Sequence, residues 1–171
     1  CVSIYDTGME YSRRKKNSVT LNTGTNQEKK KYHTGYVAGV FDLFHIGHLN
    51  LLRRAKEQCE YLIVGVVTDE GVRKHKNTEP FIPFAERLGI VGACRYVDEA
   101  VEIPFEYCDT QDAYARFGFD VQFSGSDYAD DPLWLKKQEF LRERGSELVF
   151  FPYTESTCSS RLKDMISRKL I

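Results

Sequence analysis

The sequence predicts an α/β fold in which a parallel sheet is flanked by helices. From residue 36 onward, short apolar runs alternate with amphipathic segments of helical length. The run 61–67 is almost uninterrupted in its apolar character and rich in β-branched residues, which is typical of a strand covered on both faces. Strands that alternate with helices favour parallel pairing, because each helix serves as the crossover between two neighbouring strands.

The predicted elements follow from the spacing of apolar residues. Residues 36–41 form a short buried strand, and 47–59 form a helix with Leu51, Leu52, Ala55 and Cys59 on one face. The segment between 67 and 84 is predicted as a loop. The remaining elements are a helix at 84–94, a strand at 97–103, a helix at 110–117, a strand at 120–124, a helix at 132–144, a strand at 147–151 and a helix at 159–169.

The chain divides into a predicted flexible tail or linker at 1–34 and one domain at 35–171. The tail has basic clusters at 13–16 and 29–31 and few large apolar residues, so it buries too little surface to offset the cost of ordering. The remainder is long enough for a single core. Because the chain begins with Cys1 instead of Met, we expect it to be a piece of a longer polypeptide.

Composition argues against several classes of protein. The 24 Lys and Arg balance 25 Asp and Glu, so no overall basic field favours binding to nucleic acid. The five cysteines include no Cys-x-x-Cys pair, which argues against a structural zinc site or a secreted disulfide framework. No apolar run approaches the roughly 20 residues of a membrane helix. We therefore expect a cytoplasmic protein without membrane insertion.

Two histidines flank a glycine directly after the first predicted strand, in the run Phe41-Asp42-Leu43-Phe44-His45-Ile46-Gly47-His48. The run lacks Gly-x-Gly-x-x-Gly, which weighs against a dinucleotide oxidoreductase. Gly47 permits close backbone approach, and a helix N-terminus supplies N–H groups and positive dipole to a phosphate. The imidazoles of His45 and His48 can donate hydrogen bonds to phosphoryl oxygens whose charge rises in a transition state.

The run Val40-Phe41-Asp42-x-x-His45-x-Gly47-His48 resembles the first signature of the cytidylyltransferases. This family comprises the glycerol-3-phosphate, choline-phosphate and ethanolamine-phosphate enzymes, within the His-x-Gly-His nucleotidyltransferase superfamily. Further blocks follow in the family's order, at 68–70, 74–76, 86–87 and 95–99. The resemblance implies a Rossmann-like nucleotidyltransferase fold of the α/β-phosphodiesterase type. It also implies a homodimer, with the 95–99 block near the interface.

The resemblance implies roles for residues that follow the strands. The implied catalytic residues are His45, His48 and Lys76, with Lys76 on a mobile loop between the substrate phosphate and the α-phosphate of the nucleotide. Implied nucleotide contacts are Val40, Phe41, Asp42, Gly47, Lys74, Arg87, Gly125, Asp127, Thr154, Ser159 and Ser160. Implied substrate contacts are Asp69, Arg95, Tyr128 and Tyr153. Mg²⁺ is expected on the triphosphate, with Asp42 or Asp127 as candidate protein ligands.

The last signature departs from the family pattern. Cytidylyltransferases have Arg-Thr-x-Gly-x-Ser-Thr-Thr where this chain has Tyr153-Thr154-Glu155-Ser156-Thr157-Cys158-Ser159-Ser160. Tyr153 replaces the arginine, Ser156 the glycine and Cys158 the first hydroxyl residue. The loss of the arginine removes one fixed cation from the predicted site, and Arg161, in the first turn of the last helix, is a candidate to compensate.

The sequence favours an enzyme that joins CTP and a phosphorylated alcohol, either a polyol or an amino-alcohol phosphate. Direct in-line attack would give a CDP-alcohol and pyrophosphate. One alternative is an ATP-dependent adenylyltransferase acting on a sugar or polyol phosphate, because the heptose-phosphate enzymes also have a cysteine before the final hydroxyls. A second alternative is a non-catalytic nucleotide-binding domain of a larger protein, which the altered last signature suggests.

Overall fold

Five strands form one sheet in a computed structural model that describes residues 29–107, 109–126, 131–152, 154 and 159–169, without the side chains of His75, Lys76, Ser160 and Lys169. The strands are β1 (Tyr32–Gly39), β2 (Cys59–Val67), β3 (Glu99–Ile103), β4 (Val121–Gly125) and β5 (Glu147–Phe151). The helices are α1 (Ile46–Gln58), α2 (Asp69–Lys76), α3 (Phe84–Gly92), α4 (Thr110–Phe117), α5 (Pro132–Arg142) and α6 (Ser159–Lys169), with a 3-10 turn at Phe105–Tyr107. None of these described helices has the length and apolar character needed to cross a bilayer.

The strand order is β3-β2-β1-β4-β5, and every neighbouring pair is parallel, which confirms the predicted fold class. The chain builds outward from β1 to β3 and then returns to place β4 on the other side of β1. This reversal is a topological switch point. In open α/β sheets ligands bind outside the carboxyl ends of the strands at such a point, here those of β1 and β4.

Helices cover both faces of the sheet. Neighbouring residues of β1 point to opposite faces: Val37 packs in a cluster with Leu52 of α1, and Tyr36 in a cluster with Leu141 of α5. The first cluster also includes Val91 of α3, and the second includes Ala113 of α4. The sheet is therefore the middle of three layers, and its strands are buried on both faces, as the apolar run of β2 predicts.

The first strand begins earlier than the sequence predicts. β1 starts at Tyr32, so the predicted end of the tail at residue 34 is wrong. Tyr32 is 7% exposed, its ring contacts Phe123 edge-on, and its hydroxyl donates to Glu147 at 2.6 Å. Parallel pairing with Cys59 extends the ladder to this residue. The polar residues between Tyr32 and Tyr36 conceal the strand in the sequence.

The segment predicted as a loop after β2 contains a helix, α2, and the prediction is wrong there. The hydroxyl of Thr68 accepts the N–H of Gly71 at 3.1 Å and caps the helix, which ends at Asn77 in the left-handed conformation. Val72 is the buried apolar side chain among the described residues of α2, at 2% exposure. One apolar residue in a run of charged ones does not produce a visible helical period, so tertiary packing determines this helix.

Candidate functional site

The two histidines bond to the backbone of their own turn at the start of α1. His45 is the N-cap, and its Nδ1 accepts the N–H of Gly47 at 3.0 Å. The Nδ1 atom of His48 accepts the N–H of His45 at 3.3 Å, which gives the reciprocal arrangement of a capping box. Because each Nδ1 is an acceptor, the neutral form of each ring carries its hydrogen on Nε2.

Burial keeps both imidazoles neutral at physiological pH. It lowers the pKa of His45, and it lowers the pKa of His48 to about 4, an effect to which the neighbouring His45 adds and which Asp42 opposes. The two ring centroids lie 4.0 Å apart. The turn therefore presents two adjacent neutral N–H donors, which can bind an anion without giving up a proton.

The backbone before the histidines has an unusual conformation. Phe41 and Leu43 have φ angles of 55° and 49°, in the left-handed region that bulky residues rarely occupy. Phe41 is 3% exposed, and its ring packs against His48 with centroids 5.3 Å apart. Packing therefore holds this strained turn in place, and it does so directly beside the candidate donors.

Asp42 connects this turn to two other segments. Its carboxylate, 3% exposed, accepts the N–H groups of Phe81 and Ile82, each at 3.0 Å, and pairs with Lys163 of α6 at 2.7 Å. Burial alone would raise the pKa of Asp42, but the hydrogen bonds from Lys163 and the two N–H groups outweigh it and lower the pKa. Asp42 is therefore ionised at neutral pH.

The environment of Asp42 does not fit a metal ligand. Three donors already bind its carboxylate, and one of them is the ammonium of Lys163. Among the described residues there is also no group of three or more His, Cys, Asp or Glu side chains arranged to hold a metal ion. The other candidate ligand, Asp127, lies outside the described residues.

Arg87 has a positional role in this structure. Its side chain has no exposed area and bonds to the carbonyl oxygens of Val40 after β1, Val67 at the end of β2 (2.9 Å) and Ile82 (2.9 Å). The guanidinium of Arg87 also forms an ion pair with the carboxylate of Asp69, at 2.7 Å. In this structure Arg87 connects the ends of β1 and β2. A contact between Arg87 and the nucleotide would require this buried network to open, and it stays a prediction.

Asp69, predicted to bind substrate, faces the protein. One carboxylate oxygen pairs with Arg87 and the other accepts the N–H of Phe84 at 3.1 Å. Burial would raise the pKa of Asp69, but these two bonds lower it below its ordinary value. Asp69 thereby connects the start of α2 to the start of α3, and a contact with substrate stays a prediction.

The other side of the switch point is formed by Gly125, at the end of β4. A Cβ atom added to Gly125 would meet no atom of the described residues within 4 Å. Of the neighbouring candidates, Thr154 accepts a hydrogen bond from Asn50 of α1 at 3.4 Å, and the hydroxyl of Ser159 donates to the carbonyl of Asp42 at 2.8 Å. Thr154 therefore reaches α1, and Ser159 reaches the turn at residues 41–48, here called the histidine turn.

Several predicted site residues are placed elsewhere or not described. Arg95 is exposed and precedes the amino end of β3, so it lies at the opposite edge of the sheet from the histidines, and its contact with substrate stays a prediction. Lys74 pairs with Glu70 at 2.7 Å, which raises the pKa of Lys74. Lys76 ends α2, although its side chain is not described. The side chain of Ser160 is also not described, and Tyr128 and Tyr153 lie outside the described residues.

Sequence reasoning missed three residues that help to build the site: Asn50, Phe81 and Lys163. Asn50 lies in α1 after the two histidines, and a polar residue at such a position is ordinarily interpreted as part of the solvent-exposed helix face. Phe81 contributes a backbone N–H, which no sequence pattern reports. Lys163 follows Ser159 by four residues, and this spacing on one helix face is the signal that would have identified it.

Comparisons with known proteins identify the family. A family model described as cytidylyltransferase-like matches residues 36–163. FAD synthase of Thermococcus kodakarensis is 35% identical over 83% of this chain and 95% of its own length. Glycerol-3-phosphate cytidylyltransferase of Bacillus subtilis is 33% identical over 75% of this chain and 93% of its own length. Ethanolamine-phosphate cytidylyltransferase of Dictyostelium discoideum is 39% identical over 68% of this chain, which spans only 33% of that protein.

A solved structure supports the fold. The lipopolysaccharide core biosynthesis protein of Thermoplasma volcanium matches 74% of this chain and 99% of its own, with a TM-score of 0.60 and 21% identity. At this level of identity the match concerns the three-layer architecture alone.

Proposed function

This chain belongs to the cytidylyltransferase-like family, and we propose that it joins CTP to a phosphorylated alcohol. The products are a CDP-alcohol and pyrophosphate. The observation that carries the proposal is the pair of neutral imidazoles, His45 and His48, whose Nε2–H groups lie at a helix start beside the switch point. Such donors suit phosphoryl oxygens that gain charge as a bond to phosphorus breaks.

The proposed reaction is a direct displacement. A phosphate oxygen of the acceptor forms a bond to the α-phosphorus of CTP, the bond from that phosphorus to the oxygen bridging to the β-phosphate breaks, and pyrophosphate leaves with the electron pair. His45 and His48 would donate hydrogen bonds to the nucleotide phosphates during this step. Lys76 would neutralise the two phosphates that must approach each other. No covalent intermediate with the protein is required.

Mg²⁺ is proposed to enter with the triphosphate of the nucleotide. An ion bound there would neutralise part of the charge on the phosphates. Asp42 is not proposed as its ligand, because Lys163 and two backbone N–H groups bind its carboxylate. The role of Asp42 in the reaction is to position the turn that carries His45.

A second candidate is transfer of an adenylyl group. The relative that this chain matches over 83% of its length is named FAD synthase, and FAD contains an adenosine phosphate. The contacts of the described residues include none that select a base. We place CTP first because glycerol-3-phosphate and ethanolamine-phosphate cytidylyltransferases are also among the relatives.

Pyrophosphate release tests the proposal. CTP and ATP are each combined with the phosphates of glycerol, ribitol, choline and ethanolamine, with an amino-acid-derived phosphate and with FMN. We expect release with CTP and one of the alcohol phosphates, and inversion at a chiral α-phosphorus. Release with ATP alone would replace the first candidate by the second. Nucleotide binding without release across the whole panel would indicate a non-catalytic domain.

We also propose a homodimer. Arg95 is exposed at the amino-terminal edge of the sheet, away from the histidine turn, and so is available to a second subunit. Ile90, on the preceding helix, exposes 46% of its surface. Light scattering at working concentration is expected to give twice the monomer mass, and a monomer mass would overturn this proposal.

A further inference from the structure

The last helix is bonded twice to a single residue of the histidine turn. Ser159, the first residue of α6, donates its hydroxyl hydrogen to the carbonyl of Asp42 at 2.8 Å. One turn later, the ammonium of Lys163 lies 2.7 Å from the carboxylate of the same residue. Residues four apart share one helix face, so this face of α6 is directed at the histidine turn.

The Lys163 contact is largely shielded from water. Asp42 is 3% exposed, and the side chain of Lys163 is 29% exposed. The ammonium also lies 5.3 Å from the centroid of the Phe81 ring, whose backbone N–H donates to Asp42. An ion pair in such surroundings is screened less than a surface pair, and removing one partner leaves a buried charge unpaired.

We propose that Lys163 is a positioning residue for nucleotidyl transfer, which holds the start of α6 against the histidine turn through Asp42. This inference rests on the proposed function. Lys163, and not Arg161, is the α6 cation that reaches the turn. Arg161 is exposed and lies two residues from both Ser159 and Lys163, which directs it to the other side of the helix.

The distance between two parts of the site depends on this contact. Asp42 and Ser159 are 117 positions apart in the sequence, so chain connectivity does not set the spacing between the histidines and the start of α6. Rates of group transfer respond strongly to such spacing, and a misplacement of about 1 Å costs on the order of 100-fold. A positioning contact should therefore affect kcat more than the affinity for the nucleotide.

The experiment compares Lys163→Met, Lys163→Arg and the control Arg168→Met, which removes one exposed charge from the same helix. Hydrogen exchange without nucleotide reports on residues 159–165 and 41–48, and pyrophosphate release gives kcat and KM. For Lys163→Met we expect faster amide exchange in both segments. Its kcat should be about one tenth of the wild-type value or lower, and its KM should stay within about threefold of the wild-type value. Lys163→Arg should recover most of the activity, and Arg168→Met should match the wild type.

The double variant Asp42→Asn/Lys163→Met separates positioning from direct contact with the nucleotide. If Lys163 acts through Asp42, Lys163→Met should lower kcat by less than about twofold in the Asp42→Asn background. A full loss in that background, or a change confined to KM, would overturn the proposal. Lys163→Gln replaces Lys163→Met if the latter does not fold.

Hydrogen exchange distinguishes failure of this inference from failure of the proposed function. Unchanged exchange in Lys163→Met overturns the inference whatever the activity. If the wild type releases no pyrophosphate but exchange accelerates in Lys163→Met alone, the proposed function fails and the contact that holds α6 is retained.

Discussion

Arg87 and Asp69 form an ion pair of 2.7 Å directly beneath the strand ends that lead to the site. The guanidinium also binds the carbonyl groups of Val40 and Val67, which follow or end the neighbouring strands β1 and β2. One side chain therefore sets the separation of two strand ends, and its partner Asp69 extends the connection to α2.

Replacing Arg87 is expected to destabilise the protein strongly. Arg87→Met leaves a carboxylate and buried carbonyl groups without their donor, which should cost about 3–5 kcal/mol in the free energy of unfolding. Arg87→Lys keeps the charge but not the planar fork, so about half of that loss is expected. Urea denaturation measures both. The control Arg168→Met removes an exposed pair with Asp164 and should change stability by less than about 1 kcal/mol.

The free energy of unfolding should decrease as the pH falls from 6.5 to about 4. The pKa of His48 is lowered to about 4 in the folded state from an ordinary value of 6.5, so in this interval the unfolded chain binds more protons than the folded one. The contribution is present above pH 6.5 and is lost as the pH falls toward 4, up to on the order of 2–3 kcal/mol.

Urea denaturation at a series of pH values measures this loss. His48→Asn should flatten the dependence in that interval, whereas His33→Gln, which removes an exposed imidazole on β1, should retain it. An equal slope in the wild type and His48→Asn would contradict the assignment.

Removal of either imidazole donor is expected to lower kcat. His45→Ala and His48→Ala each remove an Nε2–H, and the loss of one such transition-state donor costs about 10²- to 10³-fold in kcat. His48→Asn should retain more activity than His48→Ala, because the asparagine amide also offers an acceptor and a donor. Steady-state pyrophosphate release with CTP provides the measurement, and a rise in KM with kcat intact would indicate that the histidines bind the ground state and the transition state equally.

Gly125→Ala separates ligand approach from folding. The added Cβ would meet no atom of the described residues within 4 Å, so the free energy of unfolding should change by less than about 0.5 kcal/mol. If a nucleotide approaches the backbone here, its Kd should rise at least about tenfold. Calorimetric titration with CTP and ATP tests this, and unchanged affinity for both would exclude close approach at Gly125.

Two further glycines give opposite expected effects on stability. A Cβ at Gly65 would lie 2.6 Å from Ile103 and 2.8 Å from the hydroxyl of Tyr36, so Gly65→Ala should cost about 1–3 kcal/mol.

Gly89 is exposed within α3, and a Cβ atom added to it would meet no atom of the described residues within 4 Å. Gly89→Ala should therefore stabilise the protein by about 0.5–1 kcal/mol. Thermal denaturation of the two variants decides both signs.

Local patterns predict the elements whose apolar periods are strong. The helix at 110–117, the strand at 147–151 and the helix at 159–169 have the predicted bounds. The first strand is predicted at 36–41, but β1 begins earlier, at Tyr32. The earlier start depends on a tertiary contact, because the ring of Tyr32 packs against Phe123 of β4. The polar helix α2 is not recognised at all, since it has terminal caps and Val72 is the one buried side chain among those described.

The sequence by itself determined the parallel α/β fold and the two histidines at the start of a helix, because hydrophobic period and the strand-to-helix junction are local properties. The tertiary structure decided that Asp42 pairs with Lys163, that Arg87 holds strand ends, and that Arg95 lies at the opposite edge of the sheet. These outcomes depend on which strands become neighbours and which helix face packs against them. A charged side chain buried at a strand end takes its partners from segments that are distant in the sequence, and only the folded chain brings those segments together.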